Sequence, residues 1–195
     1  LLRIIIGSRN RRIALKTAVP GVYVVPGYSR SYVIDGDDGV TLIDTGLRNR
    51  HEHVIEVLRA IGRKPAEVKA IAITHAHADH FGGAAALKGE SHAPLFASHI
   101  DAPAIRGDEP TTPPPLVNRF RVLTSVFSLV PAADPVVVDR LVKEGESAGL
   151  PEDIRVIDTP GHTPGHVSYL LDRAGGVTAT ISAGRPRRVW KGHRK

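Results

Sequence analysis

The chain has 195 residues, of which 42% are hydrophobic and 24% are charged, as in an ordinary globular domain with one sizeable core. It contains no cysteine, which excludes a disulfide framework, a thiolate nucleophile and a cysteine-based zinc site. Residues 1–6 are apolar but shorter than a signal h-region of about 7–15 residues, and no stretch approaches transmembrane length. We therefore expect a cytoplasmic protein without a membrane partner.

The net charge of +6 is concentrated at the C-terminus. Without six basic residues near that end the chain is neutral. A short run of like charge is more often a solvated end than a binding surface, so we expect no nucleic-acid partner and interpret residues 178–195 as a basic irregular tail. The six residues are Arg185, Arg187, Arg188, Lys191, Arg194 and Lys195.

The first predicted elements are a strand meander and a helix. Runs rich in β-branched residues at 22–25, 31–34 and 40–43 are separated by Pro- and Gly-containing turns, which predicts three antiparallel strands. Apolar residues then recur at helical spacing over 54–61 and are followed by Gly62. This pattern predicts an amphipathic helix.

A β-α-β unit is predicted next. Residues 68–74 form an apolar run interrupted by Lys69, which predicts a strand buried on both faces, and a histidine cluster follows directly. Residues 81–87 are alanine-rich and helix-prone, and residues 95–97 predict another strand. The histidine cluster therefore lies at the carboxyl end of a buried strand.

The regular alternation of predicted strands and helices is interrupted over residues 102–135 and resumes at residue 154. Seven prolines interrupt residues 102–135, which we predict to be an irregular excursion or lid within one domain. Strands are predicted at 154–157 and 167–171, with the loop TPGHTPGH at 159–166 between them. Taken alone, His162 in this loop could be a turn residue or a metal ligand.

Residues 75–80, HAHADH, place three imidazoles and one carboxylate within six positions. Zinc favours such ligands at about 2.0–2.2 Å, and catalytic sites keep a coordination position for water. Two cations about 3.5–4 Å apart can share a hydroxide and polarise the carbonyl that it attacks. The cluster predicts a hydrolase without a protein nucleophile; a surface group of structural histidines is the alternative.

Three motifs together resemble the metallo-β-lactamase superfamily, and most of all its hydroxyacylglutathione-hydrolase-like branch. They are LIDTG at 42–46, THAHADHFGG at 74–83 and PGHTPGH at 160–166. The resemblance implies an α+β protein with an αββα sandwich over residues 20–177, and metals at one edge of two packed sheets.

The resemblance also implies the ligands. His75, His77 and His162 would hold a first metal, and Asp79 and His80 a second, with Asp79 as the catalytic residue. Two zinc ions are expected for the family, and iron or manganese suits the same side chains. Outside the ligand set, Asp44 would orient a ligating imidazole and His166 would pack or hydrogen-bond behind the loop.

The sequence departs from the family at its C-terminal end. The family places an aspartate that bridges both metals after the strand that follows the His162 loop, but no acidic residue follows Asp172 here. Asp172 lies too close to His166 to replace it, and His193 is the one candidate for the last histidine ligand. We therefore expect a sandwich that is incomplete at the C-terminus and a second metal without its bridge.

The leading functional prediction is hydrolysis of a small-molecule ester, thioester or lactone by a zinc-activated hydroxide. Because the bridging aspartate is missing, a truncated or degenerate, non-catalytic metal-binding member of the same superfamily is the alternative. A nucleic-acid-processing nuclease and a β-lactamase are less favoured.

Overall fold

The computed structural model describes residues 3–6, 13–111, 132–145, 149–151, 154–173 and 177–181. The larger of its two sheets contains, in spatial and chain order, β1 (Arg3–Ile6), β2 (Ile13–Val19), β3 (Val22–Val25), β4 (Ser31–Gly36), β5 (Gly39–Ile43), β6 (Val68–Ala72), β7 (Leu95–Ser98) and β8 (Arg140–Val142). The smaller sheet contains β9 (Ile154–Asp158), β10 (Val167–Arg173) and β11 (Val177–Ile181), with β10 in the centre. The helices are α1 (Glu52–Ala60), α2 (Ala78–Phe81), α3 (Ala84–Ser91) and α4 (Ala102–Arg106), with a 3-10 helix at Pro65–Glu67.

Pairing in the larger sheet changes from antiparallel to parallel at β5. Strands β1 to β5 pair antiparallel, whereas β5 to β8 pair parallel. The predicted antiparallel meander is confirmed. The predicted β-α-β unit is confirmed too, since α3 connects the parallel strands β6 and β7.

The larger sheet separates two hydrophobic cores. Ile71 of β6 belongs to the core that contains Leu58 of α1, whereas its neighbour Ala72 belongs to the core that contains Tyr169 of the smaller sheet. Adjacent residues of a strand point to opposite faces, so β6 is covered on one side by helices and on the other by the second sheet. The predicted burial of residues 68–74 on both faces is thereby confirmed, except at Lys69, which is exposed.

Helix α1 shows why these layers form. Four apolar residues on one of its faces are buried, while Glu52 in the first turn and Arg59 in the last complement the helix dipole. The chain leaves the helix through Gly62, whose φ of 81° favours glycine. The buried residues of α1 are Val54, Ile55, Val57 and Leu58.

Among the described residues no helix is long and apolar enough to cross a bilayer.

Regular structure extends past the boundaries predicted from the sequence. β2 precedes the predicted domain start at residue 20 and pairs with β3. β11 includes residues 178–181 of the predicted irregular tail and pairs with β10. Helix α4 occupies the beginning of the segment 102–135, for which an irregular path is predicted. Residues 112–131 of that segment and 182–195 of the tail lie outside the described residues.

Two glycines give a matched test of the packing. A Cβ at Gly82 would lie 2.3 Å from the carbonyl oxygen of Ala78 and 2.4 Å from the amide nitrogen of Arg48, whereas a Cβ at Gly89 in α3 would meet nothing within 4 Å. We expect Gly82→Ala to lower the free energy of unfolding by about 1–3 kcal/mol through overpacking. Gly89→Ala should raise it by about 0.5–1 kcal/mol. Urea denaturation measures both, and equal effects would contradict the packing described.

Candidate metal centre

Loops from several strands meet at one edge of the larger sheet. β3, β5, β6 and β7 run in the same direction, so their carboxyl ends lie together. Asp44 follows β5, the histidine cluster follows β6 and Asp101 follows β7. The loop 159–166 between β9 and β10 reaches the same edge, where the amide of Val167 donates to the carbonyl of Thr74 at 2.9 Å. Carboxyl ends of parallel strands are a common place for ligand sites.

Three predicted ligands converge at this edge. His75 Nε2 lies 3.0 Å from His77 Nδ1, which lies 3.1 Å from His162 Nε2. One nitrogen from each ring lies within 4.8 Å of the others. In a tetrahedral site with Zn–N distances of about 2.0–2.1 Å, neighbouring ligand atoms are about 3.3 Å apart. The donor set and its spacing therefore fit one zinc ion.

Two imidazoles of this triad have lowered pKa values, which favours their neutral form. His75 is 1% exposed, and burial strongly lowers its pKa, as do the nearby charges of His80, His77 and His162 when those rings are protonated. Burial also lowers the pKa of His162, with a further contribution from His77. A neutral imidazole offers the lone pair that a metal requires.

Asp44 fixes the orientation of two histidines. Its carboxylate accepts hydrogen bonds from the amide and hydroxyl of Thr74, each at 2.8 Å, and from Nδ1 of His80, also at 2.8 Å. Because the Thr74 hydroxyl donates to Asp44, its oxygen accepts the 3.0 Å bond from Nδ1 of His75. Nε2 of His75 then carries the lone pair and faces Nδ1 of His77. Nε2 of His80 faces Asp79 at 3.5 Å.

His80 differs from the triad in its electrostatics. Burial opposes a charge on the ring, but the charge of Asp44 and the hydrogen bond to it, followed by the charge of Asp79, raise the pKa of His80. The ring centroid of His80 lies 4.1 Å from that of His75. Asp79 and His80 thus lie beside the triad, but they are not members of the three-ligand group found among the described residues.

Hydrogen bonds to the backbone hold the Asp79–His80 segment. The hydroxyl of Ser29 donates to the carbonyl of Asp79, and both the amide and the hydroxyl of Thr45 donate to the carbonyl of His80, at 2.7 and 2.9 Å. The loop is therefore anchored from β3 and from β5. Its position does not depend on a metal alone.

His166 lies behind the loop. Its Nδ1 is 2.8 Å from the hydroxyl oxygen of Thr159, its ring centroid is 5.2 Å from that of His75, and the residue is 4% exposed. Burial lowers its pKa. Its Nε2 is buried without a hydrogen-bond partner in the described part of the chain. His166 is also not a member of the three-ligand group found among the described residues.

Sequence reasoning missed four residues that hold the site: Ser29, Thr45, Thr74 and Asp101. Thr45 and Thr74 belong to the recognised motifs, but their hydrogen bonds depend on tertiary geometry. Asp101 belongs to none of the motifs, and its role depends on the pairing of β7 parallel to the strand before the histidine cluster, which the structure reveals. Asp172 lies in β10 and pairs with Thr178, and His193 lies outside the described residues.

Comparison with known proteins identifies the class. The family model of the metallo-beta-lactamase superfamily matches residues 24–179, which include every predicted site residue. The chain belongs to this superfamily. Its mixed sheet, covered by helices on one face and by a second sheet on the other, is the α+β fold of that family.

Individual relatives are similar over most of this chain. Probable metallo-hydrolase YybB of Bacillus subtilis (strain 168) is 35% identical over 144 residues, 73% of this chain and 56% of that protein. A hydroxyacylglutathione hydrolase of Bdellovibrio bacteriovorus is 29% identical over 153 residues, 76% of this chain and 47% of that protein. The chain thus spans about half the length of these curated relatives.

A solved structure agrees with the fold. A metallo-beta-lactamase from Cronobacter sakazakii, a mutant of the HARLDQ motif, superposes with a TM-score of 0.68 and 29% sequence identity. The match covers 86% of this chain and 63% of that chain.

Replacement of Asp44 tests its role at the edge. Asn at this position keeps the shape and tolerates the φ of 58°, but its amide would face one of the hydrogen-bond donors. We expect Asp44→Asn to lower the free energy of unfolding by about 1–3 kcal/mol, because a buried donor loses its acceptor. Asp37→Asn, in the exposed turn before β5, should change it by less than about 0.5 kcal/mol. Urea denaturation of the metal-free protein separates the two outcomes, and equal small effects would contradict the assignment.

Proposed function

We propose that this chain is a metal-dependent hydrolase that acts on a small-molecule ester, thioester or lactone. The observation that carries the proposal is the convergence of His75 Nε2, His77 Nδ1 and His162 Nε2 from loops of two different sheets. Membership of a superfamily whose relatives include a hydroxyacylglutathione hydrolase supports a thioester or related acyl substrate.

In the proposed site, each residue has a distinct task. His75, His77 and His162 hold the first zinc ion, and Asp79 and His80 contribute to a second. Bound zinc lowers the pKa of a water molecule and polarises a carbonyl group. The side chain of Asp79 is 25% exposed, so its carboxylate is accessible to substrate and can accept a proton at Oδ2. His80 is held by Asp44 on the opposite side of its ring.

A cavity of about 160 Å³ lies beside the proposed centre, and we assign it to the acyl part of the substrate, although no proposed metal ligand lines it. Most of the exposed atoms of its wall are apolar, while Arg50 and His53 contribute polar atoms. Ser29 and Thr45, which hold the carbonyls of Asp79 and His80, also line it. Apolar walls with a few polar groups are typical of small-molecule sites. The apolar residues of the wall are Val25, Pro26, Tyr28 and Leu47.

The second candidate is a metal-binding protein without turnover. One observation favours it: the described residues contain a single group with three convergent ligand atoms, and Asp79 and His80 lie outside that group. Such a protein would bind one zinc ion through its histidine triad. Metal stoichiometry therefore separates the two functions.

Zinc titration combined with an acyl-substrate panel tests the proposal. The hydrolase predicts two equivalents of zinc and turnover of at least one thioester, ester or lactone, with loss of activity after chelation. His77→Ala should remove one triad ligand and abolish tight zinc binding, whereas His99→Ala, at an exposed histidine outside the site, should leave binding unchanged. One equivalent of zinc without turnover would favour the second candidate.

The cavity makes a separate prediction about specificity. Leu47→Ala removes apolar surface from the wall, so KM for a long-chain acyl thioester should rise by about fourfold or more, the effect of one buried methylene. KM for an acetyl thioester should change less. Leu141→Ala, at a leucine that is 51% exposed on β8, is the matched control. A uniform change across chain lengths would show that the cavity does not bind the acyl chain.

A further inference from the structure

Asp101 lies at the start of a helix, but its side chain does not cap that helix. It is the N-cap residue of α4, where aspartate normally accepts a hydrogen bond from an amide of the first turn. Here the side chain makes no such bond, and the residue is 5% exposed. Burial of a carboxylate is unfavourable unless hydrogen bonds compensate for the lost water.

Those compensating bonds come from both loops that carry the histidine triad. Oδ2 of Asp101 accepts from the amide of Ala76 at 2.9 Å and from the hydroxyl of Thr163 at 2.9 Å. Oδ1 accepts from the amide of Gly165 at 3.1 Å. The amide of Asp101 itself donates to the hydroxyl oxygen of Ser98 at 3.1 Å. One carboxylate therefore joins two segments that are far apart in the sequence.

The donors are adjacent to the triad histidines in the chain. Ala76 lies between His75 and His77, and Thr163 directly follows His162. A shift of the Asp101 carboxylate would thus move the His162 loop relative to the other two ligands. Metal affinity depends on such outer contacts because they set the positions of the ligand atoms.

Gly165 shows how closely the loop approaches Asp101. A Cβ at this position would lie 2.3 Å from Oδ1 of Asp101 and 2.6 Å from Oγ of Ser98. A side chain there would occupy the space of the carboxylate. The second glycine of the PGHTPGH motif, Gly165, is therefore required by the close approach of the loop to Asp101.

We propose that Asp101 is a positioning residue, which holds the His162 loop against the segment between His75 and His77 and so sets the geometry of the metal triad. The proposal rests on the metal centre proposed above. Asp101 itself is not a ligand, since its oxygens are directed to three hydrogen-bond donors. The carboxylate suits this task because it accepts hydrogen bonds without offering a donor.

The test uses Asp101→Asn in the full chain. Asn has the same shape, but its amide group would face a donor, so one of the three bonds is lost. We expect the zinc affinity, measured by competition with a chromogenic chelator, to fall about 10- to 100-fold. Asp108→Asn, an exposed partner of Arg106 beyond α4, should leave the affinity unchanged. Hydrogen exchange in the zinc-free protein should accelerate at the amide of Ala76 or at that of Gly165, whichever faces the new amide group.

A second variant separates positioning from general destabilisation. Thr163→Val keeps the volume and removes one donor, and its effect on zinc affinity should be less than additive with that of Asp101→Asn in the double variant, because both weaken the same hydrogen-bonded group around the carboxylate. Unchanged affinity in folded Asp101→Asn, or full additivity, would overturn the proposal. Wild-type protein that binds no zinc would overturn it together with the metal centre. Zinc binding without hydrolysis would contradict the proposed hydrolase and leave the proposal for Asp101 in force.

Discussion

The buried carboxylate of Asp44 is the constraint on which the edge of the larger sheet depends. It is 2% exposed and is held at a φ of 58°, in a region that L residues seldom adopt. Because it can only accept, Thr74 must donate to it, and Nδ1 of His75 must then donate to Thr74. Through this relay one anion determines which nitrogen of His75 carries the lone pair, and it does the same for His80 directly.

A second buried carboxylate acts on the opposite side of the site. Asp44 ties β5 to the segment after β6, and Asp101 ties the residues after β7 to that same segment and to the loop after β9. Both positions exist because three neighbouring parallel strands end at one edge. The loops that carry the proposed ligands are therefore braced by two carboxylates outside the proposed ligand set. Such preorganisation would lower the cost of assembling a metal site there.

The sequence predicted the elements whose signals are local and repeated. Strands at 22–25 and 31–34, the helix before Gly62 and the buried strand before His75 all have clear periodicity, and the structure confirms them. β1 and β2 were missed because the segment before residue 20 mixes basic and apolar residues without a clear alternation. Three-residue β8 is too short to show periodicity, and its pairing with β7 provides its structure.

The residues of the candidate site also differ in whether a local sequence pattern reveals them. The cluster around His75 was recognisable because its chemistry is compressed into six residues. His162 was recognisable only through its resemblance to a family motif, since 85 residues separate it from His77. Asp101 and Ser29 carry no distinctive local pattern. Their roles depend on which strands are neighbours in the sheet. Strand order is a tertiary property that cannot be predicted from local patterns in one sequence.

The separation between His77 and His162 has a consequence for stability. The two rings come from different sheets, 85 residues apart, and their nitrogens face each other at 3.1 Å. A metal ion held by both would stabilise the folded chain by its binding free energy, because the unfolded chain does not hold these ligands together. In a chain without cysteine, this ion would be the cross-link between the two sheets, as much a part of the fold as of the chemistry.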